Sequence, residues 1–147
     1  LAGYPVHSVR VSVFDGKEHP VDSKPIAFEI AGREAFKLAF MDANPVLEEP
    51  IMLVKIIVPE NYMGDVLGDL NTRRARVMGM ETEKGTSTIS ATVPLAEMQR
   101  YTTQLRSITG GRGIFSMEFS NYEVVPAHIT SDLVAQRQKE LQEKRED

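Results

Sequence analysis

Cysteine and tryptophan are both missing from this 147-residue chain. Without cysteine there is no disulfide and no thiolate metal site, and the chain suits a reducing compartment such as the cytoplasm. No apolar run approaches the roughly 18 residues that a membrane-spanning helix needs. The opening residues contain no secretory hydrophobic segment. There is no G-x-x-x-x-G-K-[ST] phosphate loop, and no G-x-G-x-x-G follows a strand-like run. The histidines His7, His19 and His128 stand far apart, in no metal-ligand spacing. No nucleophile elbow occurs. These absences leave no catalytic residue and no metal ligand to nominate, and point away from an enzyme.

What is present suits a globular chain. Apolar residues make up 41%, enough for a core, and 26% are charged. The length fits one ordinary domain or two small ones. A net charge of −4 argues against a general nucleic-acid coat. Phosphate contact depends on local cations, however, and the cations cluster: Arg73, Arg74 and Arg76, then Arg106 and Arg112.

The stretch 50–126 reads as a β-α-β-β-α-β unit. A strand-like run at 51–58 precedes a helical pattern at 60–73, with Tyr62, Met63, Val66, Leu67 and Leu70 on one face. A hairpin over 77–83 and 86–93 turns at Lys84-Gly85. Pro94 opens a second helix with Leu95, Met98, Tyr101 and Leu105 inward, and Gly110-Gly111 stops it. Residues 114–119 close the unit. The order is the split βαβ of ferredoxin-like folds. Both helix C-termini are expected toward the same edge of the sheet, which would make the two arginine clusters neighbours.

Residues 1–46 form a first block. Alternation of Val9, Val11 and Val13 with Arg10, Ser12 and Phe14 predicts a strand over 4–14. A polar loop follows, and Asp22 or Ser23 is a candidate cap for a helix over 25–42. That helix is apolar over most of its circumference, with a narrow stripe of Glu29, Arg33 and Lys37, so it expects cover on several sides. One strand and one helix cannot provide it. The block reads as the tail end of a larger domain, and self-association through the uncovered helix is expected. The prolines and acids at 44–50 mark a boundary. After Pro126, a polar segment at 127–147 predicts a tail helix capped by Thr130 or Ser131, with a frayed end.

Among the polar residues, His19 sits at a loop tip beside Pro20, Asp22 and Ser23. An exposed loop histidine needs no function, yet such a tip can also reach an RNA phosphate, ribose or base. The arginines after each helix suit the helix dipole without any partner, and they equally suit phosphates. Gly110-Gly111-Arg112-Gly113 precedes a strand rather than a helix, so it lacks the helix N-terminus of a phosphate site. Tyr62 and Tyr101 read as core or rim residues.

Several motifs resemble the elongation factor G family of bacterial translational GTPases. Leu1-Ala2-Gly3-Tyr4-Pro5-Val6, His19-Pro20-Val21-Asp22-Ser23 and Ala27-Phe28-Glu29-Ile30-Ala31-Gly32 are similar to the second half of its domain IV. Glu49-Pro50-Ile51-Met52, Tyr62-Met63-Gly64-Asp65-Val66-Leu67-Gly68-Asp69-Leu70-Asn71, Arg73-Arg74, Val93-Pro94-Leu95-Ala96-Glu97-Met98, Leu105-Arg106-Ser107 and Gly111-Arg112-Gly113 are similar to its domain V. The resemblance covers nearly all of the chain to Pro126.

It implies an α+β chain: a partial domain IV over 1–46, from a ribosomal protein S5 domain 2-like fold, then a ferredoxin-like βαββαβ domain V over 47–126 and a tail over 127–147. It implies a ribosome-binding part of a GTPase that moves tRNA and mRNA. GTP and Mg2+ would belong to a G domain absent here, leaving this chain without a cofactor. His19, Pro20, Asp22 and Ser23 would form the tip that approaches tRNA in the decoding region. Arg73, Arg74, Arg76, Arg106, Ser107 and Arg112 are the candidates for rRNA contact at the sarcin-ricin loop and stalk base. One departure stands out: where the family loop commonly runs Asp-Ser-Ser-Glu, Ser23 is followed here by Lys24-Pro25. This leaves open the main factor, a paralogue, or a recycling or protection relative. The competing reading is a stand-alone regulatory ferredoxin-like module that binds a small ligand at the glycine-rich turn or self-associates.

Overall fold

The computed structural model describes residues 1–146. The chain divides into two compact units, one of residues 48–125 and one of residues 1–47 with the stretch from Pro126 onward.

In the larger unit, β1 (Glu48–Pro59) leads through a 3-10 turn at Glu60–Tyr62 into α2 (Met63–Thr72), after α1 (Pro25–Asp42) of the other unit. Then come β2 (Arg76–Glu83), β3 (Thr86–Pro94), a 3-10 turn at Leu95–Met98, α3 (Tyr101–Thr109) and β4 (Ile114–Val124). The sheet order is β2-β3-β1-β4, with every neighbouring pair antiparallel. This is the ferredoxin-like arrangement expected from the sequence.

The period-two pattern sets which face is buried. Val54, Ile56 and Val58 of β1 and Ile89, Ala91 and Val93 of β3 turn to one side, where Val66 and Leu70 of α2 and Tyr101 and Leu105 of α3 meet them. The hairpin turns on Lys84 and Gly85, both at positive φ (49° and 79°), as a two-residue turn between right-twisted strands requires. Gly110 ends α3 in the left-handed region (φ 58°), and Gly111 N–H returns to the Arg106 carbonyl at 2.8 Å.

Leu95 departs from expectation. It lies in the short 3-10 turn and is exposed, because Arg100 at φ 59° breaks the chain before α3 begins and only Met98 of that turn reaches the core.

The second unit holds α1 and α4 (Ala127–Glu146). The strand expected over 4–14 does not form; residues 1–24 contain no regular element. Alternation marks a strand only where a partner completes the ladder, and the described residues of this unit include no second strand. Val13 and Phe14 accordingly lie almost fully in solvent. Neither Asp22 nor Ser23 caps α1: Lys24 occupies the cap position with no side-chain bond. Nor do Thr130 and Ser131 cap α4. It begins earlier, with the Pro126 carbonyl accepting from Thr130 N–H at 3.0 Å, so Ser131 bonds back to the Ala127 carbonyl instead. α4 is helical to Glu146, and the expectation that the last residues fray bears also on Asp147, which lies outside the described residues.

α1 has no buried residue, and Ile26, Phe28, Ile30, Leu38 and Met41 are exposed along it. Phe36 stacks on Phe40 at 5.8 Å, and Arg33–Glu29 and Lys37–Glu34 pair at 2.9 Å on the polar stripe.

Tyr101 anchors the core of the larger unit at 1% exposure, edge-on to Phe115 at 5.0 Å, yet its hydroxyl has no hydrogen-bond partner among the described residues. Burial, aided by Asp69 and opposed by Arg73, pushes this phenol up to about 12 from an ordinary 10.0. Folding therefore favours the protonated ring. Its contribution is complete below about pH 10 and is lost as pH rises through about 12. Tyr101→Phe removes an unsatisfied buried hydroxyl and is expected to stabilise the fold by about 1 kcal/mol. The gain should appear in urea midpoints at pH 7, and the variant should resist alkaline unfolding better than the parent.

Candidate functional site

The two arginine clusters lie at opposite ends of the helical layer of the larger unit, not side by side. The strand directions explain why. β1 runs antiparallel to both β3 and β4, so the two βαβ crossovers point in opposite senses and their helices are antiparallel. The end of α2 then meets the start of the second helical segment, and the end of α3 meets the start of the first.

At the first meeting, Arg73 and Arg74 turn inward. Arg73 donates to Asp69 at 2.8 Å and to the Glu97 carbonyl, and its guanidinium lies 4.9 Å from the Tyr101 ring centre. Arg74, at φ 54°, forks onto both oxygens of Glu49 at 2.6 and 3.0 Å and reaches Glu97 at 3.1 Å. The Glu49 carboxylate is the main reason the Arg74 guanidinium's pKa stands above its ordinary range. Both side chains are largely screened from solvent. They tie the α2–β2 corner to β1 and to the turn before α3. Arg76, the third member, is exposed with Glu123 at 3.9 Å.

At the opposite end the cations face outward. Arg106 and Ser107 are exposed on α3. Among the described residues no hydrogen bond or ion pair holds the Arg106 side chain. Arg112 is exposed, lies over the Tyr62 ring at 5.4 Å and donates to its hydroxyl at 3.1 Å. Among the described residues no carboxylate pairs with it. Tyr62 is thus a rim residue that backs a cation, a role visible only once topology brings positions 62 and 112 together.

The glycine-rich turn between them is spent internally. Gly111 N–H bonds to the Arg106 carbonyl, Arg112 N–H to the Thr109 carbonyl at 3.2 Å, and Gly113 N–H to Thr109 Oγ1 at 2.8 Å. It has too few free amides to cradle a phosphate. The described residues hold no group of three or more His, Cys, Asp or Glu able to bind a metal ion. The committed amides of the glycine-rich turn leave no phosphate cradle for GTP at that turn.

In the other unit, His19, Pro20, Asp22 and Ser23 share one exposed turn before α1. Ser23 Oγ accepts from His19 N–H at 2.6 Å and donates to the His19 carbonyl, which also accepts from Ser23 N–H at 3.2 Å. His19 Nδ1 lies 3.4 Å from both Val21 N–H and Asp22 Oδ2.

Geometry thus defines a class first: an α+β chain in which a ferredoxin-like module with an outward-facing cationic end follows a helix headed by a closed histidine turn. Residues 46–133 match the family model described as elongation factor G C-terminus, and residues 1–44 match elongation factor G, domain IV. Elongation factor G of Aquifex pyrophilus is 56% identical over 137 residues, covering 93% of this chain and 20% of that protein. A crystal structure of a Thermus thermophilus protein superposes with a TM-score of 0.69 at 45% identity, covering 85% of this chain and 19% of that one. The chain belongs to the elongation factor G family of translation elongation factors, and it spans about a fifth of the length of the relatives it matches. No helix of the described residues is long and apolar enough to cross a membrane.

Arg74→Ala would leave Glu49 half-buried without its fork. We expect a loss of about 1–3 kcal/mol in urea unfolding. Arg74→Lys should recover only part of this, because an ammonium cannot reproduce the bidentate geometry.

Proposed function

We propose that this chain is a ribosome-docking arm of a translational GTPase that promotes GTP-dependent movement of tRNA and mRNA during elongation in the cytoplasm. GTP and Mg2+ would be held by a G domain outside this sequence, and the nucleotide state would move the arm. The turn of His19, Pro20, Asp22 and Ser23 would approach tRNA in the decoding region and oppose its backward slip. The ferredoxin-like unit would rest against rRNA near the sarcin-ricin loop and the stalk base. The three-part division at 46 and 126 describes this arm: a partial domain IV, domain V and a tail.

The observation that carries the reading is the contrast between the two ends of the ferredoxin-like unit. Arg73 and Arg74 are neutralised by carboxylates and braced inward, whereas Arg106 and Arg112 stand in solvent with no carboxylate on them among the described residues. A free guanidinium keeps its donors for phosphate. We therefore assign RNA contact to Arg106, Ser107 and Arg112, with Arg76 as an exposed outlier at the other end, and give Arg73 and Arg74 the task of holding the frame. The competing small-ligand module is less well supported, since the glycine turn it would use has committed its amides.

Binding of this chain to ribosomes, or to a sarcin-ricin hairpin, should weaken steeply with added KCl. Arg106→Ala and Arg112→Ala should each weaken it and lower the salt slope by about 1. A slope unchanged in the double variant would overturn the assignment, and GTP turnover by this chain alone would contradict the division of labour. The exposed apolar length of α1 supports pairing with a second copy when the chain is isolated. Sedimentation velocity should then show concentration-dependent association, and a clean monomer at high concentration would exclude it.

A further inference from the structure

Asp15-Gly16 is the only Asp-Gly or Asn-Gly pair in the sequence. It lies in the irregular stretch before α1, directly after Val13 and Phe14 and ahead of the turn at 19–23. Gly16 N–H donates to Asp15 Oδ1 at 2.8 Å, so the side-chain carboxyl rests against the amide nitrogen of the next residue. Among the described residues that N–H has no backbone acceptor, and no cation pairs with the carboxylate. A Cβ built on Gly16 would meet no atom within 4 Å, so the surroundings are open. The other described aspartates are held differently. Asp65 and Asp69 sit inside α2 and Asp132 inside α4, where helical hydrogen bonds fix the amides that follow. After Asp42, Ala43 N–H bonds to the Ala39 carbonyl at 3.0 Å, and after Asp22, Ser23 N–H bonds to the His19 carbonyl at 3.2 Å.

A carboxyl held against an amide that the fold does not engage is an electrophile kept beside its nucleophile. We propose that Asp15-Gly16 is a site of spontaneous covalent modification, at which Asp15 cyclises to a succinimide and reopens as isoaspartate. The Gly16 nitrogen attacks Asp15 Cγ. The N–Cγ bond forms, the Cγ–OH bond of the acid form breaks, and the hydroxyl leaves as water with the hydrogen from the nitrogen. Water then adds to either carbonyl of the ring. Opening at Cγ returns aspartate. Opening at the main-chain carbonyl sends the backbone through the side chain, with one added methylene and a free α-carboxylate. Water is the only co-reactant. Val13 and Phe14 lie almost fully in solvent, so the longer backbone displaces no packed group there. The proposal goes beyond the docking reading and stands without it.

Ageing the whole chain in heavy-oxygen water at neutral pH and body temperature tests it. The readouts are fragment-ion mass spectrometry and methyl transfer by an isoaspartyl methyltransferase. Heavy oxygen and the isoaspartyl signal should both accumulate at Asp15 ahead of every other aspartate. Gly16→Ala fits the open surroundings, because Gly16 lies outside the left-handed region, but its methyl crowds the attacking nitrogen. That variant should lose most of both signals with its urea midpoint unchanged. Asp15→Glu, whose ring would be one atom larger, should lose the signal at this position entirely. Asp15→Asn should convert faster than the parent, releasing ammonia in place of water. An aged chain with Asp15 intact, a signal that appears first at Asp22 or Asp42, or a rate unmoved by Gly16→Ala would overturn the proposal.

Discussion

The antiparallel setting of α2 and α3 decides where every cation of the ferredoxin-like unit can act. A split βαβ sheet alternates its strand directions, so each helix delivers its C-terminal residues to the other helix's starting point. At one end that start contributes Glu97, and β1 adds Glu49, so Arg74 meets two carboxylates while Arg73, paired with Asp69 of its own helix, reaches the Glu97 carbonyl, and together they close the corner. At the other end the start contributes Tyr62, an aromatic face with no charge, so Arg112 rests against that ring and has no carboxylate partner among the described residues. Two arginine clusters that look alike along the chain therefore have opposite surroundings.

This also explains which parts could be read from residues alone. The strands, the hairpin at Lys84-Gly85 and the stop at Gly110-Gly111 were legible because periodicity and positive-φ requirements are local. The inward set of Val66, Leu70, Tyr101 and Leu105 followed from helical spacing. The direction of the helices was not local, and assuming a shared edge placed Arg73 and Arg112 together when topology separates them. Asp69 and Arg73, four apart on one helix, carried a signal of pairing. Glu49 and Glu97 did not, being more than twenty residues from Arg74 in sequence. The strand expected at 4–14 failed for a related reason: alternation describes a face, while a ladder needs a partner. The caps failed because a polar side chain near a helix start has several carbonyls and amides to choose from, and Ser23 chose its own turn.

The two outward-facing groups share a design that their chemistry makes sensible. A side chain that must meet RNA loses rotamer freedom on contact, and that loss subtracts from affinity. Arg112 is held beforehand by the Tyr62 ring and hydroxyl, and the ring of His19 by Val21 N–H and Asp22. Both side chains nonetheless remain exposed. Arg106 lacks such a brace. In the docking reading it would act through charge at a distance, where precise geometry matters less and added salt matters more. In the docking reading the braced groups would set where the arm comes to rest, and the free one would help bring it there.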